Sequence, residues 1–395
     1  LTALPYRRLA GFYFAYFAAL GLFSPYWAAY LETRGMAAGQ IAALMSLWFG
    51  TRMLVPLPWN WAADRFGGNE RWLRAGAALT LLACAAFLLP WGYLGLFLVM
   101  TLFSTVYNAI MPQFEAMTLA HLGPRRSLYG RIRVWGTIGF AVTVTLGGLL
   151  LERIGYASLV WLLLPLFAIL LLVAWANREA TDTGAEPPPS LRLLAERLRR
   201  PAVVLLLLTA MLMQVGHGPY YVYFAIYLDG HGFGPAWVGA YWAVGLVLEV
   251  LIFLQMPRLL AHLQARWVML ACLLLASARW SIVALLPTDV PLMLLAQAAH
   301  AFTFGAFHAA TMQLLSEHFP GRLGGHGQGL LYGLSSGLGG VLGALAAGWA
   351  WQHWGGSGSF LLAALISTMA TLLCPWLQAP SAEPTSPLPP PSPPR

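Results

Sequence analysis

Glu115 and Arg133 are the residues of this chain whose placement first suggests chemistry. One lies near the end of an apolar run and the other near the start of the next, each nine residues from Pro124 in the turn Gly-Pro124-Arg125-Arg126. At the rise of an α-helix, nine residues span about 13 Å, close to half of a ~30 Å hydrocarbon core. An acid and an arginine at matched depth can face each other in mid-membrane. Charges there are costly unless they pair or line a water-filled cavity. A guanidinium at such a place is a two-pronged partner for a carboxylate, and an acid beside it can accept the hydroxyls of a sugar.

The elements that must hold these groups are membrane helices. The chain is 59% hydrophobic and 9% charged, against about 25% charged in soluble domains. Apolar runs of spanning length cover residues 10–31, 39–61, 72–90, 93–119, 130–151, 157–177, 201–227, 236–256, 267–286, 291–316, 326–350 and 358–378. Each is close to the ~20 residues that a bilayer helix needs. The expected class is an all-α membrane protein with twelve transmembrane helices. The first run is too long for a cleaved signal and reads as a first span.

The net charge of +8 is not a nucleic-acid signature; all 22 basic residues are arginines. With the N-terminus inside, Arg7, Arg8, Arg65, Arg71, Arg74, Arg125, Arg126, Arg178, Arg192, Arg197, Arg199, Arg200, Arg258, Arg266 and Arg322 fall at the cytoplasmic edges, and Arg34 and Arg153 on the other side. The positive-inside rule then places both termini in the cytoplasm. Cys84, Cys272 and Cys374 sit inside spans, far apart, with neither metal spacing nor a disulfide framework. No metal or cofactor is expected.

The chain also repeats itself at an offset of 197 residues. Tyr30-Leu-Glu32-Thr-Arg-Gly35 returns as Tyr227-Leu-Asp229-Gly-His-Gly232, and Gly21, Tyr26, His121, Arg125, Gly130 and Gly136 meet Gly218, Tyr223, His318, Arg322, Gly327 and Gly333. Six spans per copy give two parallel, pseudo-symmetric six-helix bundles, the arrangement of transporters that rock about a midplane site. The expected boundaries are 1–177 for the first bundle, 178–200 for a cytoplasmic linker holding Pro187-Pro188-Pro189, 201–379 for the second bundle, and 380–395 for a disordered Pro/Ser-rich tail.

The repeat pairs Arg52 with Glu249, charges of opposite sign at one depth of corresponding helices, which favours gating or coupling over a neighbour holding each for stability alone. Glu115 and Arg133 have no such counterparts, since they map onto Met312 and Leu330. The second half instead carries His217, Glu249, Arg279, His300 and His308. One division of labour is substrate recognition in the first half and proton handling in the second.

The segment Trp61-Ala-Ala-Asp64-Arg65-Phe-Gly67-Gly-Asn-Glu-Arg71 resembles the loop between spans 2 and 3 of the major facilitator superfamily, without its leading glycine. Tyr129-Gly-Arg-Ile-Arg133-Val-Trp135-Gly-Thr-Ile-Gly-Phe140, eighteen residues beyond Glu115, is similar to the lactose permease family. The segments Gln214-Val-Gly-His217-Gly-Pro-Tyr220-Tyr221, Trp242 to Phe253, Ala278-Arg279-Trp280 and His300 to His308 resemble the phenylpropionate permease branch of that superfamily. The resemblance implies the major facilitator fold and a proton symporter working by alternating access in a bacterial inner membrane. It gives substrate contacts to Glu115, Arg133 and Phe140, and a proton-coupling set to Glu249, Arg279 and His300. His217, Tyr220 and Tyr221 join the substrate site on their own chemistry, His308 joins the coupling set, and Arg52, Asp64 and Arg65 are assigned to gating.

The chain departs from lactose permease where Thr303 stands one turn after His300, in place of an acid, and span 11 has no charge. Glu249 is then the leading proton carrier, raised toward neutrality by burial and lowered by Arg279 when that residue approaches. His300 and His308 could relay the proton or bridge helices as neutral rings. The expected function is proton-coupled uptake of a small organic solute such as an aromatic acid. Arg133 with the rings of Phe140, Trp135, Tyr220, Tyr221 and Tyr223 suits an aromatic acid; the Glu115/Arg133 pair suits a sugar equally. A sugar or nucleoside symporter is the first alternative. A proton-coupled efflux antiporter is the second, weakened because span 5 has glycines but no proline. No metal cluster, nucleophile constellation or phosphate loop suggests an enzyme. The expected partners are a small-molecule substrate, the proton as coupling ion and the lipid bilayer, with the chain a monomer.

Overall fold

The computed structural model describes residues 4–179 and 191–377. The linker expected at 178–200 lies partly outside these residues, and the tail at 380–395 wholly outside them. Among the described residues there is no strand. In chain order the helices are α1 (Tyr6–Thr33), α2 (Ala38–Leu54), α3 (Pro56–Phe66), α4 (Asn69–Ala86), α5 (Tyr93–Leu122), α6 (Tyr129–Ile154), α7 (Leu159–Ala176), α8 (Leu191–Leu198), α9 (Pro201–Gly216), α10 (Gly218–Asp229), α11 (Pro235–His262), α12 (Ala265–Leu285), α13 (Val290–Ala298), α14 (Phe307–His318), α15 (Gly324–Leu331) and α16 (Gly340–Thr371).

Eight helical stretches are long and apolar enough to cross a membrane, and the bent pair α2–α3 makes a ninth. Two of them, Tyr93–Ile154 at 62 residues and Gly324–Trp376 at 53 residues, are more than twice the ~20 residues of one crossing. Each turns back at a break in its backbone. Gly123 takes φ +49° and Arg125 leaves helical geometry in the first; Gly355 takes φ +71° in the second. With α4, whose first turns carry Glu70, Arg71 and Arg74, this pattern is consistent with the twelve crossings read from the sequence.

Several expected spans are interrupted, for local reasons. Residues 39–61 bend by 50° between α2 and α3, because Pro56 has no N–H to continue the helix and its ring crowds the preceding turn. Residues 201–227 break at His217, just ahead of Pro219. Residues 301–306 and 332–339 form wide, π-type turns inside the tenth and eleventh spans, a geometry frequent at functional sites.

The repeat is visible in packing. Gly21 lets α1 approach α6 so closely that a Cβ there would stand 2.6 Å from the Phe140 carbonyl oxygen; 197 residues on, Gly218 brings α10 against α16, where a Cβ would meet the Gly343 oxygen at 2.2 Å. The first and fifth spans of each half thus meet in the same way. Between halves, α11 packs on α6, α16 on α2 and α10 on α1. Tyr26, near the far end of α1, donates to Val144 O at 2.6 Å and reaches Pro235 O at 3.4 Å. Its repeat mate Tyr223 donates to Ala38 O at 2.6 Å. Glu152 accepts from the Ala236 N–H at 3.0 Å. These links gather at the face opposite the chain's N-terminal end. Toward the other face, among the described residues, α5 makes no extensive packing with α14 or α15, so the halves are less closely joined there.

Candidate functional site

The first half builds its part of the site from α1, α5 and α6. Tyr129 and Arg133 are four residues apart on α6 and so share one helix face. The Tyr129 hydroxyl donates to Glu115 Oε1. Arg133 lies with its guanidinium carbon 3.9 Å above the Phe17 ring and 5.8 Å from that of Tyr13, a favourable cation–π arrangement. Tyr13 packs edge-on to Tyr129 at 6.5 Å. Glu115 and Arg133 are both half-buried. Among the described residues they form no ion pair with each other, and Arg133 has no hydrogen-bond partner. The mutual pairing that matched depth allows is not the arrangement adopted.

The second half contributes a denser cluster. Arg279 on α12 is fully buried. Its guanidinium sits 4.1 Å from the Trp280 ring and 4.6 Å from that of Tyr220, and donates to Thr303 Oγ1 at 3.1 Å and Gln297 Oε1 at 3.4 Å. His300 Nε2 lies 3.7 Å from Glu249 Oε2. That approach is set by Gly245, one turn before Glu249, where a Cβ would stand 3.2 Å from His300 Cβ. His217 donates its Nδ1–H to the Met213 carbonyl at 2.8 Å, and its ring centre is 6.2 Å from that of His300. Tyr220 stacks on Trp242 at 4.7 Å and stands 5.6 Å from both Tyr221 and His300.

Among the described residues, six buried polar atoms of this cluster lack a protein partner: His217 Nε2, His300 Nδ1, Gln297 Nε2, Arg279 Nε, and the indole nitrogens of Trp242 and Trp280. A buried arginine without an acid is expensive, so its rings and neutral acceptors must offset much of its lost hydration. The two halves meet across the site where Phe140 faces Trp242, ring centres 5.9 Å apart. Tyr221 reaches Phe49 of α2 at 6.2 Å.

The remaining residues singled out from sequence lie apart. Arg279 makes no ion pair with Glu249. His308, two turns beyond His300, faces Tyr332 at 6.0 Å. Arg52 lies over Trp48 at 5.6 Å, without Glu249. Asp64 and Arg65 are exposed at the end of α3, with Arg65 over Phe66 at 5.9 Å. Sequence reasoning passed over Tyr13 and Phe17, which read as ordinary packing in an aromatic-rich helix, and gave Tyr129 no role. The four-residue step from Tyr129 to Arg133 was the available signal. Among the described residues no group of three or more His, Cys, Asp or Glu is placed to hold a metal ion.

Residues 6–362 match the model of the MFS_1 like family. The "Probable 3-phenylpropionic acid transporter" of Escherichia coli (strain K12) is 30% identical over 322 residues, which cover 78% of this chain and 82% of that protein. "Maltose permease" of Geobacillus stearothermophilus is 33% identical over 167 residues, 42% of this chain and 41% of that one. In fold, the crystal structure of the nucleoside transporter NupG matches 94% of this chain and 98% of its own with a TM-score of 0.84 at 16% identity. A bacterial homologue of the human lysosomal transporter Spinster matches 94% of this chain and 97% of its own with a TM-score of 0.77 at 15% identity. The chain therefore belongs to the MFS_1 like family: it is a multi-pass membrane transporter of small molecules and not an enzyme.

Proposed function

We propose that this transporter carries a small aromatic carboxylate into the cell together with protons. The observation that supports this most is Arg133. It stands half-buried on α6 over the Phe17 ring, with no hydrogen-bonded or ion-paired acid among the described residues. A guanidinium so placed takes a carboxylate in two-pronged fashion, and Phe140 and Trp242 supply ring surfaces nearby. The relative of Escherichia coli is named for a phenylpropionic acid, a molecule with those two features. Glu249, close to His300 and on the second half, is the proposed proton carrier. The proposed bundles are 1–177 and 201–379. The proposed setting is a bacterial inner membrane with both termini cytoplasmic, the chain acting as a monomer. With that orientation the open face is the cytoplasmic one.

A sugar is the second reading, since Glu115 lies beside Tyr129 within one helical turn of Arg133, and a maltose permease matches part of the chain. Purified protein in proteoliposomes separates the two. Labelled 3-phenylpropionate should accumulate under an inwardly directed proton gradient and lose that accumulation when a protonophore is added. Counterflow of maltose or a nucleoside with none of 3-phenylpropionate would overturn the carboxylate reading.

A further inference from the structure

We propose that Tyr129 determines substrate class by keeping Glu115 off Arg133. This inference rests on the reading that Arg133 receives the substrate carboxylate. An arginine and an acid at the same depth in apolar surroundings would ordinarily pair, and a paired Arg133 would have to break that pair to accept an anion. The structure shows a different allocation. Glu115 accepts the Tyr129 hydroxyl, while Arg133, one helical turn along the same face of α6, lies on Phe17 with no protein acceptor among the described residues. Tyr129 thus satisfies the acid with a neutral donor and leaves the cation free for an anionic ligand.

Two neighbours reinforce the separation. Phe17 holds the guanidinium from below at 3.9 Å. Gly136, one turn beyond Arg133, leaves the space the guanidinium occupies: a Cβ there would stand 2.7 Å from Arg133 Nη1 and 2.7 Å from Phe17 Cδ2. A side chain at 136 would force Arg133 or Phe17 to shift. The arrangement has no equivalent in the second half, where Tyr129, Arg133 and Glu115 map onto His326, Leu330 and Met312.

Tyr129→Phe tests this with the loss of a single oxygen and keeps the ring that packs against Tyr13. Released from its donor, Glu115 should turn to Arg133 and compete with the ligand. The affinity of the purified protein for 3-phenylpropionate should fall about tenfold, the size of one contact between a charged group and its partner. Adding Glu115→Gln to Tyr129→Phe removes the competing charge and should return most of the affinity, a rescue that a merely structural role for Tyr129 would not produce. Wild-type affinity in Tyr129→Phe, or no recovery in the double variant while thermal unfolding shows both folded, would overturn the role of Tyr129. Failure of the wild-type protein to bind 3-phenylpropionate would instead remove the carboxylate reading, and this inference with it.

Discussion

Glu249 and Arg279 sit in one cluster yet hold different partners, and that difference shapes what each can do. Glu249 has His300 at 3.7 Å, whereas Arg279 is engaged by Thr303, Gln297 and two aromatic rings. An ionised carboxylate at this depth is costly to expose to an apolar environment, and protonation removes most of that cost. If Glu249 carries the proton, Glu249→Gln imitates the loaded form. In proteoliposomes this variant should exchange labelled substrate across the membrane at a rate near wild type and show no uphill accumulation under a proton gradient. Accumulation at the wild-type level would make Glu249 structural and turn attention to Glu115. The charged members of the cluster were legible in sequence because ionisable residues are rare in apolar helices and stand out individually. Their pairing was not. Whether Glu249 meets Arg279 or His300 depends on how closely α11 approaches the tenth span, and the step that sets it, a missing side chain at Gly245, carries no signal until the helices are placed together.

At the scale of elements, the helices touch across the molecule in two places related by the repeat. Tyr26 reaches Pro235 O and Tyr223 donates to Ala38 O. Both steps, from Tyr26 to Tyr223 and from Ala38 to Pro235, are 197 residues. Each tyrosine therefore ties its own half to the first turn of a helix in the other, and a movement that opens this face must break both links. Replacing both tyrosines with phenylalanine removes about 1 kcal/mol per hydrogen bond between the halves, and should favour the state open at this face by roughly thirtyfold. Spin labels at Glu32 and Asp229, exposed residues at the ends of α1 and α10 on that face, would report it as growth of a longer distance. An unchanged distance distribution in the double variant would show that the two hydroxyls do not hold the face shut. The spans themselves were readable from their apolar length, and their interruptions much less so. The apolar run 39–61 passes straight through Pro56, which breaks it, and the wide turns at 301–306 and 332–339 have no proline, although the glycines and serines of 332–339 are weak helix formers.

For the whole molecule, the repeat and the distribution of arginine carry most of the information. The offset of 197 residues implied like helix pairs in each half, and Gly21 and Gly218 make like contacts. Which face of the molecule is open could not be read from the chain, because both states of a rocking transporter share one sequence and differ only in which ends of the halves meet. In this structure the halves meet at the face opposite the N-terminal end of α1. Assigning that face to one side of the membrane requires the charges. Arg7, Arg8, Arg65, Arg71, Arg125 and Arg126 lie on the N-terminal side of the molecule, and Arg34 and Arg153 on the other. An excess of arginine in short loops marks the cytoplasmic side, so the open face should be cytoplasmic and the tyrosine-tied face external. Reporter fusions decide the matter. A phosphatase reporter, active only outside, should be active when fused after Arg34 and silent after Arg192, while a cytoplasmic fluorescent reporter should show the reverse. The same outcome at both positions would end this topology; a full reversal would put the open face outside.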